Sequence, residues 1–163
     1  MKKTHYILVA LMSIMVCSCK QNNWIDWKTQ NELWMEQNKW KENVMITPTG
    51  LQYKVIYPGN TTDTRPITGS TVVFDYKMTL IDGNVIQQQS DFTSTCVVGT
   101  QTVSGLISGM VEGLKKMHVG ADFILYIPWK LAYGEDGNGT EGYSSYIPPY
   151  SALIYEIHLS RVY

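Results

Sequence analysis

The stretch Val72-Val73-Phe74-Asp75-Tyr76-Lys77-Met78-Thr79-Leu80-Ile81-Asp82-Gly83 decides how this chain folds. Val72, Phe74, Tyr76, Met78 and Leu80 alternate with Val73, Asp75, Lys77 and Thr79, the period-2 pattern of a strand with one buried face. Asp82-Gly83 is a hairpin-type turn, so the chain is expected to return antiparallel through Asn84 to Gln88. Upstream, Leu51, Tyr53, Val55 and Tyr57 alternate with Gln52, Lys54 and Ile56 until Pro58-Gly59 stops the strand, and a polar loop, Asn60 to Ser70, follows. Downstream come a short strand near Thr95 to Val98 and two longer ones, Asp122 to Pro128 and Leu153 to Val162. A loop carrying Gly134, Gly137, Gly139 and Gly142 separates the last two.

One helix interrupts this pattern, from Leu106 to Met117, where Leu106, Ile107, Met110, Leu114 and Met117 form an apolar stripe. Gly105, Gly109 and Gly113 recur beside it at helical spacing. Glycine inside a helix costs about 1 kcal/mol relative to alanine, so close approach of helix to sheet is the expected reason for three of them. A membrane-helix reading of the same spacing fails, because Glu112, Lys115 and Lys116 interrupt the segment. The layout is α+β, about five strands with one short core helix and an N-terminal helical arm.

Composition narrows the function. With 163 residues, 44% hydrophobic, the chain has the size and apolar content of one ordinary domain with a short appendage. Thirteen basic against fourteen acidic residues, a formal net charge of -1, give no excess suited to nucleic acid. Three cysteines, at 17, 19 and 96, make no disulfide framework, and no Cys/His cluster has metal-ligand spacing. Cys96 is expected to be buried filler in a strand. Past the first residues the histidines are His118, in the turn after the helix, and His158, on the outward side of the last strand, so a Ser-His or Cys-His pair has little to draw on.

Lys2 and Lys3 precede an apolar run, Tyr6 to Val16, too short for a stable membrane span. The run ends Val16-Cys17-Ser18-Cys19, which resembles the lipobox of bacterial lipoproteins. That resemblance puts cleavage after Ser18 and lipid on Cys19, making residues 1–18 a signal peptide; the alternative is an ordinary secretory signal with incidental cysteines. Residues 19–48 are then a linker and a Trp-rich arm, since Trp24, Trp27, Trp34 and Trp40 crowd one polar stretch without Gly or Pro from Asn23 to Asn43. Thr29 followed by Glu32 suggests a capping box. At 100° per residue Trp24, Trp27, Trp34 and Met35 share a side, with Leu33 and Trp40 roughly opposite. Packing of the Trp face on its own domain is favoured over a homodimer contact through this helix or a seat among lipid headgroups.

The remaining signal is apolar and aromatic. Val72-Val73-Phe74-Asp75-Tyr76, Asp82-Gly83, Gly109-Met110-Val111-Glu112-Gly113-Leu114 with Met117 and Gly120, Leu131-Ala132-Tyr133-Gly134, and Ile147-Pro148-Pro149 before Leu153-Ile154-Tyr155-Glu156-Ile157 occur in that order. Together they resemble an FKBP-type peptidyl-prolyl cis-trans isomerase over about residues 49–163, and Thr49 to Ile56 is similar to the lead-in strand of bacterial secreted members. The resemblance implies an antiparallel sheet curled around one short helix, and a prolyl pocket lined by Tyr76, Ile86, Leu106, Ile107, Met110, Tyr133, Ile147 and Tyr155. Tyr133 and the backbone N–H of Ile107 would hold the substrate carbonyls. Gln87, a ninth residue of the implied substrate site, stands where the family commonly has an aspartate beside the pocket, Met110 where the pocket floor is often tryptophan, and Ser94 where an aromatic is expected. The segments Thr100 to Gly105 and Glu135 to Ser145 look longer than in minimal members.

What the resemblance implies is an isomerase that assists folding of exported proteins. It would sit lipid-anchored in a bacterial cell envelope, on the periplasmic face of the outer membrane, and act on proline-containing chains without metal or cofactor. The alternative is a weakly catalytic or non-catalytic binding module on the same fold. An envelope hydrolase is poorly supported by the histidine positions.

Overall fold

A computed structural model describes residues 23–97 and 106–163, with the backbone alone for 88–97. The elements run α1 (Asn23–Asn38), β1 (Met45–Ile46), β2 (Gln52–Tyr57), β3 (Thr71–Thr79), β4 (Val85–Val97), α2 (Ser108–Leu114), β5 (Asp122–Ile127), a 3-10 turn (Trp129–Leu131) and β6 (Leu153–Val162). The strands form one antiparallel sheet in the order β1-β2-β5-β6-β3-β4. β3, whose alternation opened the sequence reading, pairs with β4 on one side and β6 on the other, with Tyr76 opposite Ile157. Gly83, at φ 88°, closes the β3–β4 hairpin in the left-handed conformation glycine adopts without strain.

Alternation is cleanest in the strands that face α2. Phe123, Leu125 and Ile127 of β5, and Leu153, Tyr155, Ile157 and Leu159 of β6, are buried; Glu156 is exposed. They meet Met110, Leu114 and Met117 from α2 and the turn after it, all at 2% exposure or less. Each such side chain removed from water contributes about 1.5–3 kcal/mol. The glycine spacing has the reason expected of it: a Cβ on Gly113 would lie 2.2 Å from Leu125 Cδ1, and one on Gly109 2.3 Å from Ile127 Cγ2. Gly105, the two lipobox cysteines, the signal segment, the side chains of Ser94 and Cys96 and the stretch before α2 lie outside the described residues.

Several expectations need correction. The separate short strands after the hairpin are one strand, β4, at the sheet edge; the polar run Gln87 to Ser90 in its middle carries no period-2 apolar signal. A sixth strand, β1, has two residues, too few to show a period. α2 is confined to Ser108–Leu114: Leu106 and Ile107 lead into it, and i to i+3 bonds from Lys116 and Met117 tighten its end. Thr29 caps nothing, because α1 already starts at Asn23; its hydroxyl donates back to the Ile25 carbonyl at 3.0 Å. Gln52, assigned to a polar face, is 3% exposed, because α1 covers that face.

α1 is held by amides as much as by rings. Asn31 and Asn38, seven residues apart on one face, are both fully buried. Asn31 accepts the Ala152 N–H at 2.8 Å and donates to the Trp27 carbonyl at 2.8 Å. Asn38 donates to Gln52 Oε1 at 2.9 Å, and Gln52 Nε2 donates to the Met35 carbonyl at 2.8 Å. The Trp27 indole donates to Ser151 Oγ at 2.9 Å, and Trp34 packs against Tyr126 with centroids 5.8 Å apart. Leu33 and Trp40, 55% and 81% exposed, face away.

Substitution Gly113→Ala sets a propensity gain of about 1 kcal/mol against overpacking of about 1–3 kcal/mol. The overpacking wins, because three atoms of the fully buried Leu125 side chain lie within 3.1 Å of the new methyl group. Urea unfolding should show a net loss of about 1–2 kcal/mol with an unchanged m-value; a gain would mean that Leu125 turns aside at little cost.

Candidate functional site

The N-terminal end of α2 places the first group. Ile107 is the N-cap residue, extended at φ -65° and ψ 152°, with its carbonyl accepting from the N–H groups of Met110 (3.0 Å) and Val111 (3.2 Å). An N-cap N–H lies outside the helix ladder. One turn on, Met110 is 2% exposed. Strand pairing brings Tyr76 of β3 beside Tyr155 of β6, ring centroids 5.7 Å apart and planes 41° apart, and Phe74 packs on the other side of Tyr76 at the same distance and angle.

Tyr133 comes from the turn after β5. That turn is fastened by Ala132 N–H and Gly134 N–H to the Trp129 carbonyl, at 3.1 and 3.0 Å, and by Tyr150 N–H to the Gly134 carbonyl at 2.9 Å. Ser108, the first residue of α2, donates to the Leu131 carbonyl at 3.2 Å, so helix start and tyrosine turn are tied directly. Ile147, 2% exposed, is fixed by reciprocal backbone bonds with Asn138 at 2.8 and 2.9 Å. Gly137 permits that bridge: its φ is 70°, and a Cβ there would meet the Ile147 carbonyl oxygen at 2.2 Å.

Eight of the nine substrate-site residues named from sequence belong to the hydrophobic core or pack against it. Ile107, Met110, Ile147 and Tyr155 are buried, and Tyr76, Ile86, Leu106 and Tyr133 pack half-buried against the same cluster. Gln87 does not join them: it is exposed, next to the half-buried Ile86 on a strand whose successive side chains point to opposite faces. The sequence reading passed over Phe74, which braces Tyr76, and Ser108, whose hydroxyl joins α2 to the Tyr133 turn.

The chemistry of the cluster is apolar with neutral hydroxyls. Burial pushes the Tyr133 phenol above its ordinary value. Tyr155 is pushed far above it, by burial first and then by the neighbouring phenols of Tyr133 and Tyr76. Each thus keeps its proton and can donate a hydrogen bond. Among the described residues no group of three or more His, Cys, Asp or Glu could hold a metal ion. The histidines are engaged elsewhere. His118 Nδ1 lies 2.9 Å from the Asp63 carbonyl while its Nε2 accepts from Arg65 Nε, and His158 Nδ1 lies 2.7 Å from Asp122 Oδ1, so His158 is partnered as well as half-buried on its outward side.

Comparison with known proteins agrees with this geometry. The profile of the FKBP-type peptidyl-prolyl cis-trans isomerase matches residues 62–160. The chain is 36% identical over 138 residues to the outer membrane protein MIP of Legionella longbeachae, covering 83% of this chain and 54% of that protein. It is 37% identical over 132 residues to the FKBP-type 22 kDa peptidyl-prolyl cis-trans isomerase of Escherichia coli, covering 79% and 58%. Among solved structures it superposes on FkpA from Escherichia coli with a TM-score of 0.69 at 30% identity, covering 86% of this chain and 61% of that one. A peptidyl-prolyl cis-trans isomerase from Pseudomonas syringae gives 0.72 at 26% identity, covering 85% and 94%. The chain spans about half the length of the curated relatives it matches. Sheet order, the helix lying on it and the sequence match point the same way: the chain belongs to the FKBP-type peptidyl-prolyl cis-trans isomerase family.

Proposed function

We propose that this protein is a peptidyl-prolyl cis-trans isomerase that acts on proline-containing polypeptides in a bacterial cell envelope, where it assists folding of exported chains. The observation that carries the proposal is the convergence of Tyr76, Ile107, Met110, Tyr133 and Tyr155 from four separate parts of the chain onto one apolar cluster. The reaction is a rotation about the X-Pro bond, whose barrier of about 18–20 kcal/mol comes from amide resonance. Resonance is lost in the twisted transition state, so the amide becomes less dipolar there and suits an apolar wall better than the planar ground state does. Lowering the barrier by about 3–5.5 kcal/mol gives a hundred- to ten-thousand-fold acceleration.

In this reading Met110 is the floor under the prolyl ring, with Tyr76, Tyr155, Ile86, Leu106 and Ile147 as walls. The Ile107 N–H and the Tyr133 hydroxyl hold the flanking carbonyls. The exposed Gln87 supplies no charge beside the ring. That exposure, together with an unbranched methionine floor that packs less rigidly than an indole, favours one second reading, a weakly catalytic module that mainly binds proline-containing chains.

Anchoring is part of the proposal. Cys19 would carry the lipid, with residues 1–18 removed and residues 49–163 forming the isomerase domain. The name of the Legionella relative places that protein in an outer membrane. No helix of the described residues is long and apolar enough to cross a membrane. Pairing of two copies through α1 is confined to its outward side, where Ile25, Leu33 and Trp40 are exposed.

Exchange NMR on short X-Pro peptides should show acceleration by the purified chain, greatest with an apolar residue before proline. Tyr133→Phe removes one hydroxyl and keeps the ring, and should lower kcat/KM by about three- to tenfold, the worth of one hydrogen bond. Because the phenols of Tyr133 and Tyr155 are raised, both stay protonated below the ordinary tyrosine pKa of about 10, and the rate should be flat from about pH 6 to pH 9. Rates equal to buffer across several peptides would leave the binding-module reading.

Cys19→Ala should move the protein from the membrane to the soluble fraction with its melting temperature unchanged. A lipid chain is the one anchor proposed for it, and stable anchoring depends on acyl chains. Unaltered membrane fractionation of that variant would overturn the lipoprotein reading.

A further inference from the structure

A groove of about 730 Å³ opens between α1 and the β3–β4 hairpin. One wall is the first turns of α1, with Trp24, Asp26 and Trp27; the opposite wall is the β3–β4 hairpin, with Leu80, Asp82 and Ile86; Tyr143, Tyr146 and Pro148 close its end. The groove shares Ile86 with the proposed prolyl site, and its Pro148 is the chain neighbour of Ile147. Its volume falls in the range of sites that enclose a drug-sized ligand. Apolar surface is left open at its rim, where Val85 and Tyr143 are 49% and 71% exposed.

The charge of the groove is one-sided. Asp26 is exposed in the first turn of α1, and no Lys, Arg or His is among the described residues that line the groove. Asp82 accepts from its turn neighbour Asn84, through the backbone N–H at 3.0 Å and the side-chain amide at 2.7 Å. Glu141 adds a third carboxylate close enough to Tyr146 to raise that phenol, after burial.

The aromatic rings tell the same story by contrast. Elsewhere the chain covers its own rings with cations: Lys28 lies over Trp129 and Tyr150, Lys41 over Trp34, Lys39 over Trp40 and Lys116 over Tyr53, at 4.9 to 5.5 Å. Among the described residues no lysine or arginine covers Trp24, Trp27, Tyr143 or Tyr146. Rings with carboxylates beside them and no cation of their own suit a cation that another chain brings.

We propose that this groove is an accessory subsite for the residues flanking the proline, and that it takes a lysine- or arginine-bearing segment. The cation meets Asp26 and Asp82, and its aliphatic stem lies along Trp24, Tyr146 and Ile86. The inference rests on the isomerase reading for the identity of the chain that enters, and gives that chain a sequence preference which an apolar prolyl pocket alone would not impose. α1 thereby forms one wall of the substrate path.

Peptide pairs sharing one X-Pro core, with lysine or glutamate placed two and three positions to either side, test this on the purified full chain. Turnover is read by exchange NMR and binding by anisotropy of labelled peptide. Lysine-bearing peptides should show kcat/KM and affinity about three- to tenfold above their glutamate partners at low ionic strength, converging as salt shortens the screening length to about 3 Å at 1 M. Asp26→Lys, at an exposed position, should abolish or invert the preference while the circular dichroism spectrum and melting temperature hold. Turnover without discrimination, or discrimination untouched by Asp26→Lys, would overturn the subsite and leave the isomerase reading standing. Selective binding of lysine peptides without turnover on any peptide would support the groove and overturn catalysis instead.

Discussion

Between α2 and β5 there is no room for a methyl group. Gly109 and Gly113 put the helix backbone against Ile127 and Leu125, and the rest of the molecule takes its position from that contact. Met110 and Leu114, the residues after each glycine, are driven into the core. Ile107 is held at the cap, and Ser108 is brought within hydrogen-bonding reach of the turn that carries Tyr133. A helix standing one methyl group further out would lift Met110 from the core and separate the two groups proposed to hold the substrate. The seven residues of α2 could not stay helical alone; the sheet makes them a helix, and the glycines let the sheet do so.

The same close packing explains how an apolar cluster can carry hydroxyls. Tyr76, Tyr133 and Tyr155 are placed by three different elements, so no one rotamer decides the arrangement. Burial keeps the phenols of Tyr133 and Tyr155 neutral, so they offer donors without bringing a charge that would require its own partner. For the proposed reaction, which moves no proton and breaks no bond, fixed dipoles in an apolar wall are sufficient.

Periodicity disclosed β2, β3, β5 and β6, because each has one face on the core and the alternation of buried and outward residues is written in the chain. It disclosed the purpose of Gly109 and Gly113, since a glycine stripe along an apolar helix has few other uses. It did not disclose β4 as one strand, because the run Gln87 to Ser90 is polar at every position and breaks the alternation. The docking of α1 was half legible: the tryptophan side was expected to pack on the domain, yet Asn31, Asn38 and Gln52, which bond across that contact, read as solvent-facing polar residues. A buried amide is indistinguishable in sequence from an exposed one until its partner is known, and these partners lie up to 121 positions away. The eight residues expected to line a prolyl pocket were named from motifs in order, and the fold places all eight in or against the hydrophobic core. The exposure of Gln87 did not follow from those motifs, since motif position says nothing about which way a strand residue turns beside a bulge.

That long reach has a consequence for how the chain is completed. Trp27 and Asn31 are joined to Ser151 and Ala152 across 124 and 121 positions, and β2 and β3 likewise await β5 and β6. A ribosome makes α1 early and its seat late; at about 5–20 residues per second the interval is on the order of ten seconds. Throughout it a helix of sixteen residues stands without the surface that stabilises it, its indoles open to any apolar contact that arrives first. Ser151 and Ala152, leading into β6, therefore complete the seat of α1 as β6 completes the sheet, and a chain stopped short of Ser151 would lack both β6 and the bonds that dock α1.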